Sequence, residues 1–189
     1  MLSILLYKDE LAAIKDRAIR SFVAACLMVA PRYIFWDAPS SSSGKYHPAD
    51  ELTGNGCVIH TKRVVRMILM LGGDDIAVAA GIIHDLVKQG WIKSGHSVDE
   101  HPELAVQLIN KVHDSRRGLI SRNTMGAIRS AVGFHMGPWR RRGRYKIPKK
   151  FSSWGLGVTA RRVHLADVYA SQKEIGIKIA VNLPPVHGR

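Results

Sequence analysis

The sequence is short of cysteine, of strand signals, of acidic residues and of long apolar runs, and each shortage closes off a class of protein. Two cysteines in 189 residues, Cys26 and Cys57, cannot build a disulfide framework, and neither has a partner at zinc-motif spacing. Both stand in apolar surroundings, where a thiol serves as a small core residue. The apolar opening Met1–Leu6 is cut by Lys8, Asp9 and Glu10, too early for a signal-peptide core or a membrane span. No later window holds an uncharged apolar run of spanning length, so a reducing cytoplasm and no membrane partner are expected. Only 15 Asp and Glu face 28 Lys and Arg, for a formal charge of +13. That excess says nothing about fold, but it concentrates anions such as nucleotides and nucleic acid around the chain. There is no internal repeat and no domain linker, so residues 1–189 are expected to form one domain; a homo-oligomer is left open.

What the sequence has is helical periodicity. Apolar groups from Ile4 to Ala30, with Lys8–Glu10 and Lys15–Arg20 opposite them, predict an N-terminal helix over residues 1–30. Pro31 ends it, and the Pro-, Ser- and Gly-rich stretch 31–56 reads as a long loop. A helix is expected over Cys57–Leu71, with Val64, Met67, Ile68 and Leu71 on one face. Gly72-Gly73 breaks it, and Asp74 or Asp75 caps a buried, Ala- and Ile-rich helix over Ile76–Val87. Gly90–Asp99 reads as a loop. Pro102 opens the next helix at its favoured first position, and Asn123 or Thr124 caps one carrying Ile128, Ala131 and Val132. A second long loop covers 136–157, a last helix Val158–Lys173, and a tail 174–189. The fold class is all-α, a single-domain helical bundle.

On these helices the metal-ligand residue types fall at places expected to face inward. His60 lies four residues before Val64. His84 follows Ala80 by four, with Asp85 next to it. His135 follows Ala131 and Val132, His101 precedes Pro102, and Asp167 lies between Val163 and Ala170. Each alone has an ordinary explanation: a hydrogen-bonded core histidine, a helix-terminal carboxylate, a buried ion-pair partner. Together they would be costly to bury without a shared partner. A divalent cation satisfies several at once, and imidazole with carboxylate suits Mn, Fe, Co, Zn or Ni better than Ca. Adjacent His84 and Asp85 point about 100° apart on a helix, so they can approach one ion from two sides.

The order His60, His84-Asp85, Asp167 resembles the HD-domain superfamily of metal-dependent phosphohydrolases, in its small single-domain phage or bacterial form. The neighbouring strings are similar as well. Ala79-Ala80-Gly81-Ile82-Ile83-His84-Asp85-Leu86-Val87-Lys88 resembles that family's apolar run into its His-Asp pair. His101-Pro102-Glu103-Leu104 is similar to its next element, and Val163-His164-Leu165-Ala166-Asp167 to its last-ligand helix. The likeness covers about 56–173. It implies one metal on His60, His84, Asp85 and Asp167, and a second on His101 and His135; in mononuclear members the latter positions contact substrate instead. One or two transition-metal ions per chain are therefore expected, with Mg a further candidate.

Asp85 and Lys88 are the candidate catalytic residues. Lys88 follows His84 by four, so its ammonium can reach the same phosphate; the alternative is a surface lysine near a helix C-terminus. In the string Pro39-Ser40-Ser41-Ser42-Ser43-Gly44-Lys45-Tyr46-His47-Pro48, hydroxyls, backbone amides and Lys45 could grip phosphate, or the segment is a flexible serine linker. Similar Gly-Lys-Tyr-His-Pro strings precede the first metal histidine in HD proteins of phage or bacterial type, which implies substrate binding by Ser43, Lys45 and His47. Trp36 could stack on a base or belong to the core. The basic run Arg140, Arg141, Arg142, Arg144, Lys146, Lys149 and Lys150, flanked by Trp139 and Trp154, offers a nucleic-acid or polyphosphate contact, or simply a solvated loop. His164 is either a partner of the Asp167 region or core; His96, His113 and His187 have no assigned role.

The expected activity is hydrolysis of a phosphoester or phosphoanhydride of a nucleotide, a (deoxy)nucleoside mono- or triphosphate. The alternatives are a phosphodiesterase acting on cyclic dinucleotides or single-stranded nucleic acid, and a basic nucleic-acid-binding module with a degenerate metal site.

Overall fold

A computed structural model describes residues 2–137 and 157–175. The described residues form nine α-helices and one short 3-10 turn, with no strand among them. The helices are α1 (Leu2–Leu6), α2 (Lys8–Ala13), α3 (Arg17–Val29), α4 (Tyr33–Trp36), α5 (Gly56–Met70), α6 (Asp75–Ile83), α7 (His101–Ser115), α8 (Arg122–Gly133) and α9 (Val158–Ala170); the 3-10 turn spans Ala49–Leu52. No described helix is long and apolar enough to cross a membrane.

The N-terminal thirty residues are not one helix. They break at Tyr7 and again at Ile14; the second break precedes Asp16, which caps α3 by accepting from the backbone N–H groups of Ala18 and Ile19. A capping carboxylate with extended backbone ends whatever precedes it and starts a new helix. The Asp16 N–H is also held, by Asp75 Oδ2 at 2.7 Å, which ties the start of α3 to the start of α6.

Helix α6 is the axis of the molecule. Its residues from Ala77 to Ile83 are all buried, as expected of a helix apolar all round. It packs against α2, α3, α5, α8 and α9. Each large side chain buried this way, Ile82 and Ile83 among them, contributes on the order of 2 kcal/mol. Gly72, at φ +71°, turns the chain out of α5, and the Asp74 carboxylate caps α6 by accepting from the Ala77 N–H.

Helix α6 stops at Ile83, four residues before the expected end, and the chain continues in turns. His84 and Asp85 therefore lie just beyond the helix. Helix α9 stops at Ala170 instead of Lys173, and α8 is capped by Ser121, whose Oγ accepts from the Thr124 N–H. The 31–56 segment is more ordered than a linker. It contains α4 and the 3-10 turn, and the turn packs on α5. Gly56 makes that contact: a Cβ there would fall 1.9 Å from the Glu51 carbonyl oxygen. Cys26 and Cys57 are both buried and free, as core residues. The basic run 140–150, both flanking tryptophans and most of the tail lie outside the described residues.

Candidate metal centre

Four imidazoles and two carboxylates meet where α5, the end of α6, the start of α7, the end of α8 and α9 come together. His60 comes from the middle of α5 and Asp167 from α9. His84 and Asp85 follow α6, His101 opens α7, and His135 follows α8. All four imidazoles are at least 95 % buried, with His60 and His84 wholly so, and Asp85 is 2 % exposed.

The tautomers follow from the hydrogen bonds. His84 Nδ1 lies 2.7 Å from the Gly81 carbonyl, His101 Nδ1 2.7 Å from that of Val98, and His135 Nδ1 2.7 Å from that of Val132. A carbonyl only accepts, so each Nδ1 carries the proton and donates it. In the neutral ring each Nε2 is then a bare lone pair aimed inward.

These lone pairs face one another and the carboxylates. His101 Nε2 and His135 Nε2 stand 3.0 Å apart, and they lie 3.3 and 3.6 Å from Asp85 Oδ1. On the other side, His84 Nε2 is 3.3 Å from Asp85 Oδ2 and 3.9 Å from Asp167 Oδ1. His60 Nε2 is 2.9 Å from Asp167 Oδ1 and 3.9 Å from Asp85 Oδ2. His84 Nε2 and Asp85 Oδ1 are buried without a hydrogen-bond partner among the described residues.

Orphaned buried acceptors pressed together are costly unless a cation sits among them. Atoms bonded to one ion at about 2.1 Å stand roughly 3.0–3.5 Å apart, and the observed separations bracket that range. The residues fit a divalent cation. They form two groups, His60–His84–Asp167 and Asp85–His101–His135, with Asp85 offering one oxygen to each side.

Electrostatics separates the groups of the cluster. Burial pulls His60 down, but the Glu51 charge and hydrogen bonds to Asp167 and Glu51 outweigh it and raise the ring to about 9. Burial, together with the neighbouring His84 and His101, pushes His135 down to about 3. Burial opposes ionisation of Asp85 and Asp167, yet both are held well below the usual carboxylate range: Asp85 chiefly by Lys88 and His84, Asp167 by its hydrogen bond to His60.

Lys88 is not a surface lysine. It is 8 % exposed, and its ammonium donates to Asp85 Oδ2 at 2.5 Å. In the turn after α6 it is the partner of Asp85, three residues back.

From the serine-rich loop, the structure brings His47 alone of the three expected residues into the cluster. Its ring centroid is 5.2 Å from that of His60. Ser43 and Lys45 are exposed: Ser43 Oγ is 3.4 Å from the Lys45 amide, and the Lys45 ammonium lies over the Tyr46 ring at 5.1 Å. Trp36 lines a cavity of about 230 Å³ with Leu27, Met28 and Phe35, and no residue of the metal groups lines it. His164 Nδ1 donates to the His135 carbonyl at 2.7 Å, steadying the turn that presents His135.

Glu51 and Arg63 are two residues of the site that were not among those expected. Glu51 is fully buried in the 3-10 turn, against His60, His47, Ser40 and Arg63. The available signal was Glu51 placed four residues after His47, with Arg63 one helical turn beyond His60.

No protein-family model matches the chain, and no curated protein or solved structure matches it.

Proposed function

We propose that this protein is a metal-dependent phosphohydrolase of the HD type, acting on a phosphoester or phosphoanhydride of a nucleotide. One observation carries the reading: a buried aspartate, Asp85, directs one oxygen to each of two groups of inward-facing imidazole nitrogens. Imidazole and carboxylate together favour Mn, Fe, Co, Zn or Ni, with Mg a weaker candidate. Bound there, divalent cations supply Lewis acidity at the phosphoryl oxygens and acidify the attacking water.

The chain's own residues do the rest. The pinned Nδ1–H groups hold each imidazole ready as a ligand, with no ring flip needed. Lys88 pairs with Asp85 and is the cation we assign to a phosphoryl oxygen of the substrate. His47, beside His60 and 15 % exposed in its side chain, is the residue of the loop best placed to meet substrate. The order of ligands along the chain supports the HD assignment, and the formal charge of +13 supports an anionic substrate.

The test is a screen of nucleoside mono- and triphosphates and cyclic dinucleotides with Mn, Co, Zn and Mg, products being resolved by chromatography. Phosphate, pyrophosphate or triphosphate release identifies the bond cut, and linear dinucleotide would identify a phosphodiesterase instead. Asp85→Asn should lower the activity at least ~100-fold. Full activity in that variant would sink the metal mechanism. Salt-sensitive nucleic-acid binding with no hydrolysis would point to the binding module.

A further inference from the structure

We propose that Glu51 is the positioning residue of the His60–His84–Asp167 group, fixing the His60 ring as a ligand and fastening the 39–48 loop to it. The inference rests on the metal reading above and adds a residue that lies outside the ligand set.

Its geometry separates it from the other supports. His84, His101 and His135 are each held by a main-chain carbonyl. His60 alone of the four is held by a charged side chain, with Nδ1 at 3.2 Å from Glu51 Oε2. The same oxygen accepts from His47 Nδ1 at 2.7 Å and from Ser40 Oγ at 3.0 Å. The other oxygen, Oε1, accepts from Arg63 Nη1 at 2.6 Å. The backbone joins in, since the Ser40 N–H donates to the Glu51 carbonyl at 2.9 Å. One carboxylate thus connects a metal-facing ring, a loop of candidate substrate contacts and a guanidinium.

His47, Glu51 and His60 are also close enough to be considered a metal site themselves. Two features argue against it. The 2.7 Å separation of His47 Nδ1 and Glu51 Oε2 is a hydrogen-bond length, shorter than the roughly 3.0 Å expected between neighbouring ligands of one ion. And His60 has only one nitrogen to give, its Nε2, which faces Asp167 at 2.9 Å. What remains is the carboxylate–imidazole–metal relay, in which an outer carboxylate orients the ring and strengthens it as a donor. Removing such a partner typically weakens metal binding by roughly ten- to hundred-fold.

The experiment measures Mn and Co binding to the full chain by competition with a chelating dye, with the Co absorption spectrum as a second readout. Glu51→Gln should keep the wild-type number of ions per chain, raise the dissociation constant roughly ten- to hundred-fold and shift the Co spectrum. Trypsin should also cut faster after Lys45 in that variant, because the loop loses its anchor. Asp50→Asn removes only a half-exposed partner of Arg63, so its metal affinity should stay within about twofold of wild type. If Glu51→Gln does not fold, Glu51→Asp keeps the charge for Arg63 but withdraws the oxygen from His60, and the same loss is expected. Wild-type affinity in whichever variant folds overturns the proposal. Loss of one whole ion does too, since Glu51 would then be a ligand. Wild-type protein that takes up no ion overturns the metal reading, and this inference with it.

Discussion

At the scale of single residues, the centre holds two histidines whose opposite shifts predict how stability depends on pH. His60 is raised to about 9, above the ordinary 6.5. Its stabilising contribution is therefore complete below pH 6.5 and is lost as pH rises towards 9. His135 is lowered to about 3, so its contribution is present above pH 6.5 and is lost as pH falls below that value. The metal-free protein should melt highest near pH 6.5 and lose roughly 5–10 °C by pH 9. Thermal melts in excess chelator from pH 4.5 to 9.5 would check this, and a flat alkaline limb would contradict it. Saturating Mn should shrink that limb, because binding requires the proton to leave His60, and affinity should rise up to ~tenfold per pH unit below 9.

At the scale of elements, the caps and close contacts govern how the site is presented. Asp16→Ala removes the acceptor for the Ala18 and Ile19 amides and should cost about 1 kcal/mol in urea unfolding. Gly56→Ala would drive a Cβ against the Glu51 carbonyl. We expect a loss of about 1–3 kcal/mol, with weaker metal binding as Glu51 is displaced. Gly126→Ala, in α8 with nothing within 4 Å of the new Cβ, should instead stabilise by about 0.5–1 kcal/mol.

The same scale shows what could be read in advance. Helices α5 and α7 were legible because their apolar stripes repeat at helical spacing and α7 carries Pro102 at its start. The N-terminal break was not, since Asp16 reads as one charge among several until its side chain is seen bonded to two amides. The end of α6 at Ile83 was hidden by an apolar sequence that continues through Leu86 and Val87, both buried in turns. The inward residues His60, His84, Asp85, His101, His135 and Asp167 were visible as polar types on apolar faces. Glu51 was fainter: its one signal was the four-residue spacing from His47, in a short 3-10 turn with no apolar periodicity to say which side faces in.

At the scale of the whole molecule, the cluster draws on five separate stretches of chain, so cations that bind it should brace the entire fold. Ligand present at a hundred times its dissociation constant adds about 2.7 kcal/mol, which should raise the melting temperature by roughly 5–10 °C. Differential scanning calorimetry with and without chelator measures this, and no shift with Mn, Co or Zn would count against a structural role for the metal. Helix α6 has the same reach, since it touches α2, α3, α5, α8 and α9. Disruption at Ile82 or Ile83 should therefore unfold the molecule in one transition rather than loosen one end.

The three carbonyls that orient His84, His101 and His135 belong to Gly81, Val98 and Val132, each three positions before its histidine. Main-chain oxygens are common to every amino acid, so the identity of these supports leaves no trace in the residue types. Across evolutionary time such a sequence can drift at its supporting positions while the rings keep their aim.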